Sequence, residues 1–166
     1  MDEHKFGPSA DLGAFIKYDI HDAVSVDFTI ANGEGYKLVE SDTILKYSAG
    51  LTLSPLKGLD LRASYDYMGK DDPQQTLAFS AGYTVDKVRV GAEYNYQLNH
   101  KMTADEDLTG ISVYSSYQLD KVRLIGRYDN LSSPVIGADT DPWNIAKDGQ
   151  LFIAGFEYIF NSLKRK

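Results

Sequence analysis

The stretch AGYTVDKVRVGAEYNY at residues 81 to 96 returns 34 residues later as SSYQLDKVRLIGRYDN at 115 to 130. In both copies a Tyr, a branched residue, the pair Asp-Lys, a Val, an Arg and a late Tyr fall at the same offsets. Repetition at a fixed spacing means that one supersecondary unit is laid beside itself. The unit can be read directly. Val88, Val90, Ala92, Tyr94, Tyr96 and Leu98 alternate with Arg89, Gly91, Glu93, Asn95 and Gln97, a period of two that describes a strand with one apolar and one polar face. Leu77, Phe79, Ala81, Tyr83 and Val85 alternate in the same way with Ala78, Ser80, Gly82 and Thr84, and Asp86-Lys87 is the tight turn between the two. The repeated unit is a hairpin.

The same scan along the whole chain gives about nine strands, near 9–20, 23–32, 42–53, 58–69, 75–85, 87–98, 108–119, 121–131 and 150–160. No segment keeps a 3.6-residue period with caps, so almost no helix is expected. The connections alternate in length. DIHDA, SPLKG, VDK and LDK are short, whereas NGEGYKLVES, GKDDPQQ, NHKMTADED and SSPVIGADTDPWNIAKDG are long, polar and rich in Gly, Pro, Asp and Asn. Short turns at one end and long loops at the other describe an all-β, antiparallel up-and-down meander of about 9–10 strands, with the asymmetry of outer-membrane barrels. The expected division is an N-terminal tail (1–8), a β-barrel domain (9–160) and a basic C-terminal tail (161–166).

Composition narrows what such a meander can be. Its 166 residues suit one domain or a piece of a larger one. With 17 Lys plus Arg against 24 Asp plus Glu the net charge is −7, which argues against a general affinity for nucleic-acid phosphates. No apolar run approaches the ~20 residues of a membrane-spanning helix. The start MDEHKFGPSA lacks a basic segment followed by an apolar one, so no secretory signal is expected within it. A membrane barrel stays open, because its strands are short and only half apolar.

Alternation alone does not say which face points inward, since a soluble barrel with an apolar core and a membrane barrel with a wet lumen share it. Tyrosine placement bears on the choice. Tyr18, Tyr83, Tyr117 and Tyr158 each lie two residues before the end of a strand running toward a short turn, on the apolar face. Tyr65, Tyr67, Tyr94, Tyr96 and Tyr128 lie near the far end of that face on strands running toward long loops. Two tyrosine belts with Leu, Val, Ala, Phe and Gly between them are what a lipid-facing wall requires, because amphipathic rings settle at both membrane interfaces. Strands of about eleven residues at ~3.3 Å each, tilted ~40°, rise roughly 28 Å, close to the ~25 Å apolar band.

The other face carries Lys17, Asp27, Lys46, Asp60, Arg62, Asp66, Arg89, Glu93, Arg123, Arg127, Asp129 and Glu157. Charges of both signs on nearly every strand are costly to bury dry and natural beside water, so these are expected to line a lumen. Arg62, Arg89 and Arg123 each open a strand leading away from a short turn and are expected to form a positive tier near that mouth. A ring of Arg biases a pore toward anions. The competing reading is that neighbouring Asp60, Asp66, Glu93 and Asp129 neutralise these arginines as ordinary ion pairs.

FGPSADLGAFIKYDI, YDYMG, GAEYNYQLNH, GRYDNLSS and DPWNIAKDGQLFIAGFEYIF, with the alternating turns, resemble the C-terminal part of Gram-negative outer-membrane porins, in the group related to phosphate-selective porins. The resemblance runs from Phe6 to Phe160. It implies a closed antiparallel barrel of about sixteen or more strands, of which this chain is a segment, set in outer-membrane lipid. It also implies passive diffusion of small hydrophilic or anionic solutes, and assembly as a homotrimer.

Enzymatic chemistry has little footing. His4, His21 and His100 fall in the tail, a short turn and a long loop, where solvated surface histidines are expected, and no cofactor or metal is. The longest loop is the candidate constriction, with Trp143 at its narrowest point and Asp139, Asp141 and Asp148 around it. The alternative function is a soluble or periplasmic β-barrel that binds a small apolar ligand on its tyrosine-rich face.

Overall fold

The computed structural model describes residues 12–32, 44–133 and 149–159. Nine strands form one sheet: β1 (Gly13–His21), β2 (Val24–Ala31), β3 (Lys46–Leu56), β4 (Leu59–Met68), β5 (Gln74–Val85), β6 (Val88–Leu98), β7 (Leu108–Leu119), β8 (Val122–Ser132) and β9 (Gln150–Tyr158). Each strand pairs antiparallel with the next in sequence order, so the topology is the expected up-and-down meander. Among the described residues there is no α-helix, and a 3-10 turn spans His100–Met102. No strand lies against the outer edge of β1 or of β9 among those residues. The two tails, 1–8 and 161–166, lie outside the described residues.

The turns account for the repeated Asp-Lys. Asp86 and Asp120 adopt φ of 50° and 47°, the left-handed region, and each opens a two-residue turn whose backbone twist matches that of the strands it joins. Asp is among the few non-glycine residues that tolerate this conformation, so the repeat places it there twice. In the Lys57-Gly58 turn it is the second residue that takes positive φ, Gly58 at 86°. Here β3 runs on to Leu56, beyond the expected end at Leu53, because a bulge between Leu53 and Leu56 absorbs Ser54 and Pro55. A proline cannot donate to a ladder, and a bulge is one of the places a sheet accepts it.

The burial pattern is inverted relative to a protein folded in water. Gln97 and Asp129 are 0% exposed and Asn95 2%, whereas Phe152 and Phe156 are 74% and 76% exposed. Thr76 and Ser112 are also buried, and Phe79, Val113, Tyr94 and Ile111 are exposed. The shielded polar residues Thr76, Asn95, Gln97, Ser112 and Asp129 cluster on β5 to β8, where the loop of residues 99 to 107 packs back toward β5. Their side of the sheet is the inner face. The outer face is apolar and continuous from Phe28 to Tyr158, and Tyr128 and Phe152 meet there across β8 and β9 at 4.6 Å between ring centroids.

Candidate functional site: the inner polar wall

Register decides which inner-face charges meet. Arg62 of β4 reaches over β3 to Asp27 of β2, with Nη1 donating to Oδ2 at 2.6 Å and Nη2 to Oδ1 at 2.9 Å. Nη1 also donates to Thr52 Oγ1 at 2.9 Å. The crossing is open because Gly50 lies level with both Asp27 and Ser64, and a Cβ there would overlap the guanidinium and the carboxylate. A forked guanidinium on a carboxylate is the strongest common ion-pair geometry. Elsewhere Arg127 Nε donates to Asp129 Oδ1 at 2.8 Å, Arg123 Nη1 to Glu157 Oε2 at 2.9 Å, and Lys46 lies 3.7 Å from Asp66. Lys17 pairs with Asp19 along β1 at 3.0 Å.

These pairings redistribute the expected neutralisers. Arg127 takes Asp129, as its spacing suggests, but Arg62 takes Asp27 from two strands away and not Asp60. Asp60 instead accepts from Ser54 Oγ at 2.6 Å, and Glu93 accepts from Asn95 Nδ2 at 2.8 Å. Arg89 is the one inner-face arginine with neither ion pair nor hydrogen bond among the described residues. The three arginines near the short turns lie in separate register rows: Arg62 is level with Ser80, Arg89 with Thr84 and Ser116, and Arg123 with Gln118.

Arg89 opens onto a pocket of about 210 Å³ on the inner face, lined by Arg62, Asp60, Thr52, Ser80, Thr84 and Tyr114. Tyr114 is the residue that sequence reading passed over. It sits level with Gly91 of β6, and its ring end lies against that glycine, where any Cβ would collide with it. Its parity with Ser112 and Ser116 would have placed it on the inner face, apart from the tyrosines of the belts. The pocket therefore offers the Arg89 guanidinium, a phenol and three hydroxyl-bearing side chains, with Gly82 also in its lining.

A second polar cluster closes the inner face toward the loop of residues 99 to 107. Gln97 Nε2 donates to Thr76 Oγ1 at 2.7 Å, and His100 Nδ1 lies 2.6 Å from Gln97 Oε1. Asn99 Nδ2 donates to the Pro73 carbonyl at 3.2 Å, and the Lys101 amide donates to Gln74 Oε1 at 2.8 Å. The loop folds back onto β5 and buries His100 to 5% exposure, correcting the expectation that this histidine is solvated. Asn99, Lys101, Met102 and Asp105 all take positive φ, which is how nine residues make the return. His21 is exposed at the end of β1, its Nδ1 accepting from the Ala23 amide.

All nine belt tyrosines lie on the outer face. Tyr18, Tyr83, Tyr117 and Tyr158 are exposed near the short turns, while Tyr65 and Tyr94 are exposed and Tyr67, Tyr96 and Tyr128 half-buried toward the loops. Tyr47, unassigned by the sequence, joins the second group beside Tyr67. Between the belts the outer face holds a depression of about 490 Å³, with Ala63, Ala81 and Ala92 among bulkier Leu51, Phe79, Tyr94 and Ile111. The constriction candidates Asp139, Asp141, Trp143 and Asp148 lie outside the described residues. Among the described residues no group of three or more His, Asp or Glu is placed to hold a metal ion.

No protein-family model matches the chain, and neither does any curated protein sequence.

Proposed function

We propose that this chain is wall material of a water-filled outer-membrane β-barrel that passes small hydrophilic solutes by passive diffusion. The observation that carries the reading is the inverted polarity: the largest fully buried side chains are Gln97, Asn95 and Asp129, while Phe, Tyr, Leu, Ile and Val side chains are widely exposed. In water an apolar face of that extent is an aggregation surface, whereas in a bilayer it is the solvated one. The two tyrosine belts support the same orientation, since Tyr settles at the headgroup level on both sides. Inside, the paired charges form a wall that water and polar solutes can wet. Among the described inner-face arginines Arg89 is the one left to attract anions, and the neighbouring hydroxyls and Tyr114 phenol supply hydrogen-bond donors in the same pocket. Asn95 Oδ1, buried without a hydrogen-bond partner among the described residues, is an acceptor that lumen water would satisfy.

Refolding the purified chain with and without detergent micelles tests this, with β-sheet circular dichroism and particle size as readouts. A sheet that forms only with micelles is the expected result; a monodisperse folded monomer in plain buffer refutes the proposal. Where a conducting pore forms in planar bilayers, Arg89→Glu is expected to move the reversal potential in a salt gradient toward cation preference.

A further inference from the structure

Resting on the reading of the inner face as a solute path, we infer that the pocket over Gly82 is a subsite for small zwitterions of the amino-acid kind, with Asp60 taking the ammonium and Arg89 the carboxylate. One register row and its two neighbours build it. Asp60 of β4 is level with Gly82 of β5, Gly82 with Gly91 of β6, and Gly91 with Tyr114 of β7. All four positions lie on the inner face, so two positions without side chains separate a carboxylate from a tyrosine. The Tyr114 ring end occupies the space over Gly91 and leaves that over Gly82 open. Where a Cβ on Gly82 would stand, Tyr114 Oη at 3.9 Å is the one atom within 4 Å among the described residues. Arg62 and Ser80 share the row on one side, Thr84 and Arg89 the row on the other. The result is a basin with Asp60 on one wall, the Tyr114 phenol on the opposite one and Arg89 at a corner.

Two opposite charges in this basin are unmatched. Asp60 Oδ1 accepts from the Ser54 hydroxyl, but the carboxylate meets no cation, because Arg62, two residues along the same face, is committed to Asp27 and Thr52. Among the described residues Asp60 Oδ2 has no hydrogen bond, and Arg89 has neither ion pair nor hydrogen bond. The two do not neutralise each other. Their backbones stand two strands and two residues apart, about 12 Å at ~4.8 Å per strand and ~3.3 Å per residue.

That separation selects among ligands. A simple anion on Arg89 faces the Asp60 carboxylate across the basin, and a simple cation on Asp60 faces the guanidinium, so each gains one attraction and meets one repulsion. A neutral polyol hydrogen-bonds to both groups and compensates neither charge. A molecule carrying an ammonium and a carboxylate matches both ends at once with charge-assisted hydrogen bonds. The hydroxyls of Ser80, Thr84 and Tyr114 lie between the two ends. At about 210 Å³ the basin is smaller than the ~300 to 1,000 Å³ of pockets for drug-sized molecules, which limits the zwitterion to amino-acid size.

The test uses the full chain, carrying isotope-labelled tyrosine and folded in micelles. The probes are L-alanine, propionate, which lacks its ammonium, and ethylammonium, which lacks its carboxylate. NMR reads the Tyr114 ring, identified as the signal lost in Tyr114→Phe. Alanine is expected to saturate the Tyr114 shift at a concentration roughly threefold to tenfold below either fragment, the worth of one charge-assisted contact beside water. Asp60→Asn is expected to abolish the advantage of alanine over propionate and keep its advantage over ethylammonium, and Arg89→Gln to do the reverse. A merely structural role would weaken all three probes alike. Gly82→Val, which fills the open floor, is expected to remove the shift with every probe while the circular dichroism of the sheet is unchanged. Alanine binding no tighter than propionate overturns the subsite, as does tighter binding of inorganic phosphate or of glucose, or a Tyr114 signal that no probe moves. Those results leave the membrane reading standing, because it is judged by whether the sheet forms without micelles. If the chain folds in plain buffer the membrane reading fails, and the same titration on that fold still decides the subsite.

Discussion

Val113→Arg separates a lipid-facing outer surface from a water-facing one. Val113 is 50% exposed in the middle of β7, on the outer face between Ala92 and Tyr128 of the adjacent strands. It lies five residues after Leu108 and six before Leu119. At ~3.3 Å per residue and a tilt of ~40° that is about 13 to 15 Å from either end, the middle of a ~25 Å apolar band. An Arg on the lipid face at that depth costs about 2 to 4 kcal/mol, a roughly 30- to 900-fold shift of the folding equilibrium. On a water-exposed strand the same change stays within about 0.5 kcal/mol, because the side chain meets solvent and removes little packing. The assay is reversible urea unfolding of the chain in lipid vesicles, followed by circular dichroism. Leu119→Arg is the control: it sits at the short-turn rim, where an Arg reaches the headgroups and costs about 0 to 1 kcal/mol. Equal, sub-kilocalorie effects at both positions would refute the orientation of the sheet.

Three further outcomes follow from contacts described above. Arg62→Met strands the Asp27 carboxylate, which is only 10% exposed, and is expected to cost about 1 to 3 kcal/mol in the same assay; adding Asp27→Asn should recover most of it. Gly91→Ala is expected to destabilise by about 1 to 3 kcal/mol while Tyr114 covers it, and to become nearly neutral in a Tyr114→Ala background, so the two changes are non-additive. Asp86→Val places a β-branched residue at φ 50° and is expected to lose about 1 to 2 kcal/mol, whereas Asp86→Gly at the same site is tolerated; equal effects of the two would contradict the turn assignment.

The strand count, the meander order and the position of nearly every turn were legible in the residues, because period-two alternation and Asp-Lys or Gly turns are local signals. Face membership was legible for the same reason, down to Arg89 on one side and Tyr94 on the other. What was not legible depends on neighbours distant in sequence. The Arg62 to Asp27 pair spans two strands and requires a glycine at the intervening level, a coincidence that only the register of β2, β3 and β4 creates. His100 read as solvated because its loop is polar, yet the run of left-handed residues turns it back onto Gln97 and out of water.

By itself, then, the sequence determined a sheet with one apolar and one polar face, since alternation forces side chains to opposite sides of any strand. Which face is enclosed is a property of curvature, and curvature arises from twist and register accumulated over all nine strands. Only the tertiary structure decided which polar side chains are shielded, and that Arg89 makes no ion pair or hydrogen bond among the described residues while Asp27 and Asp129 are taken.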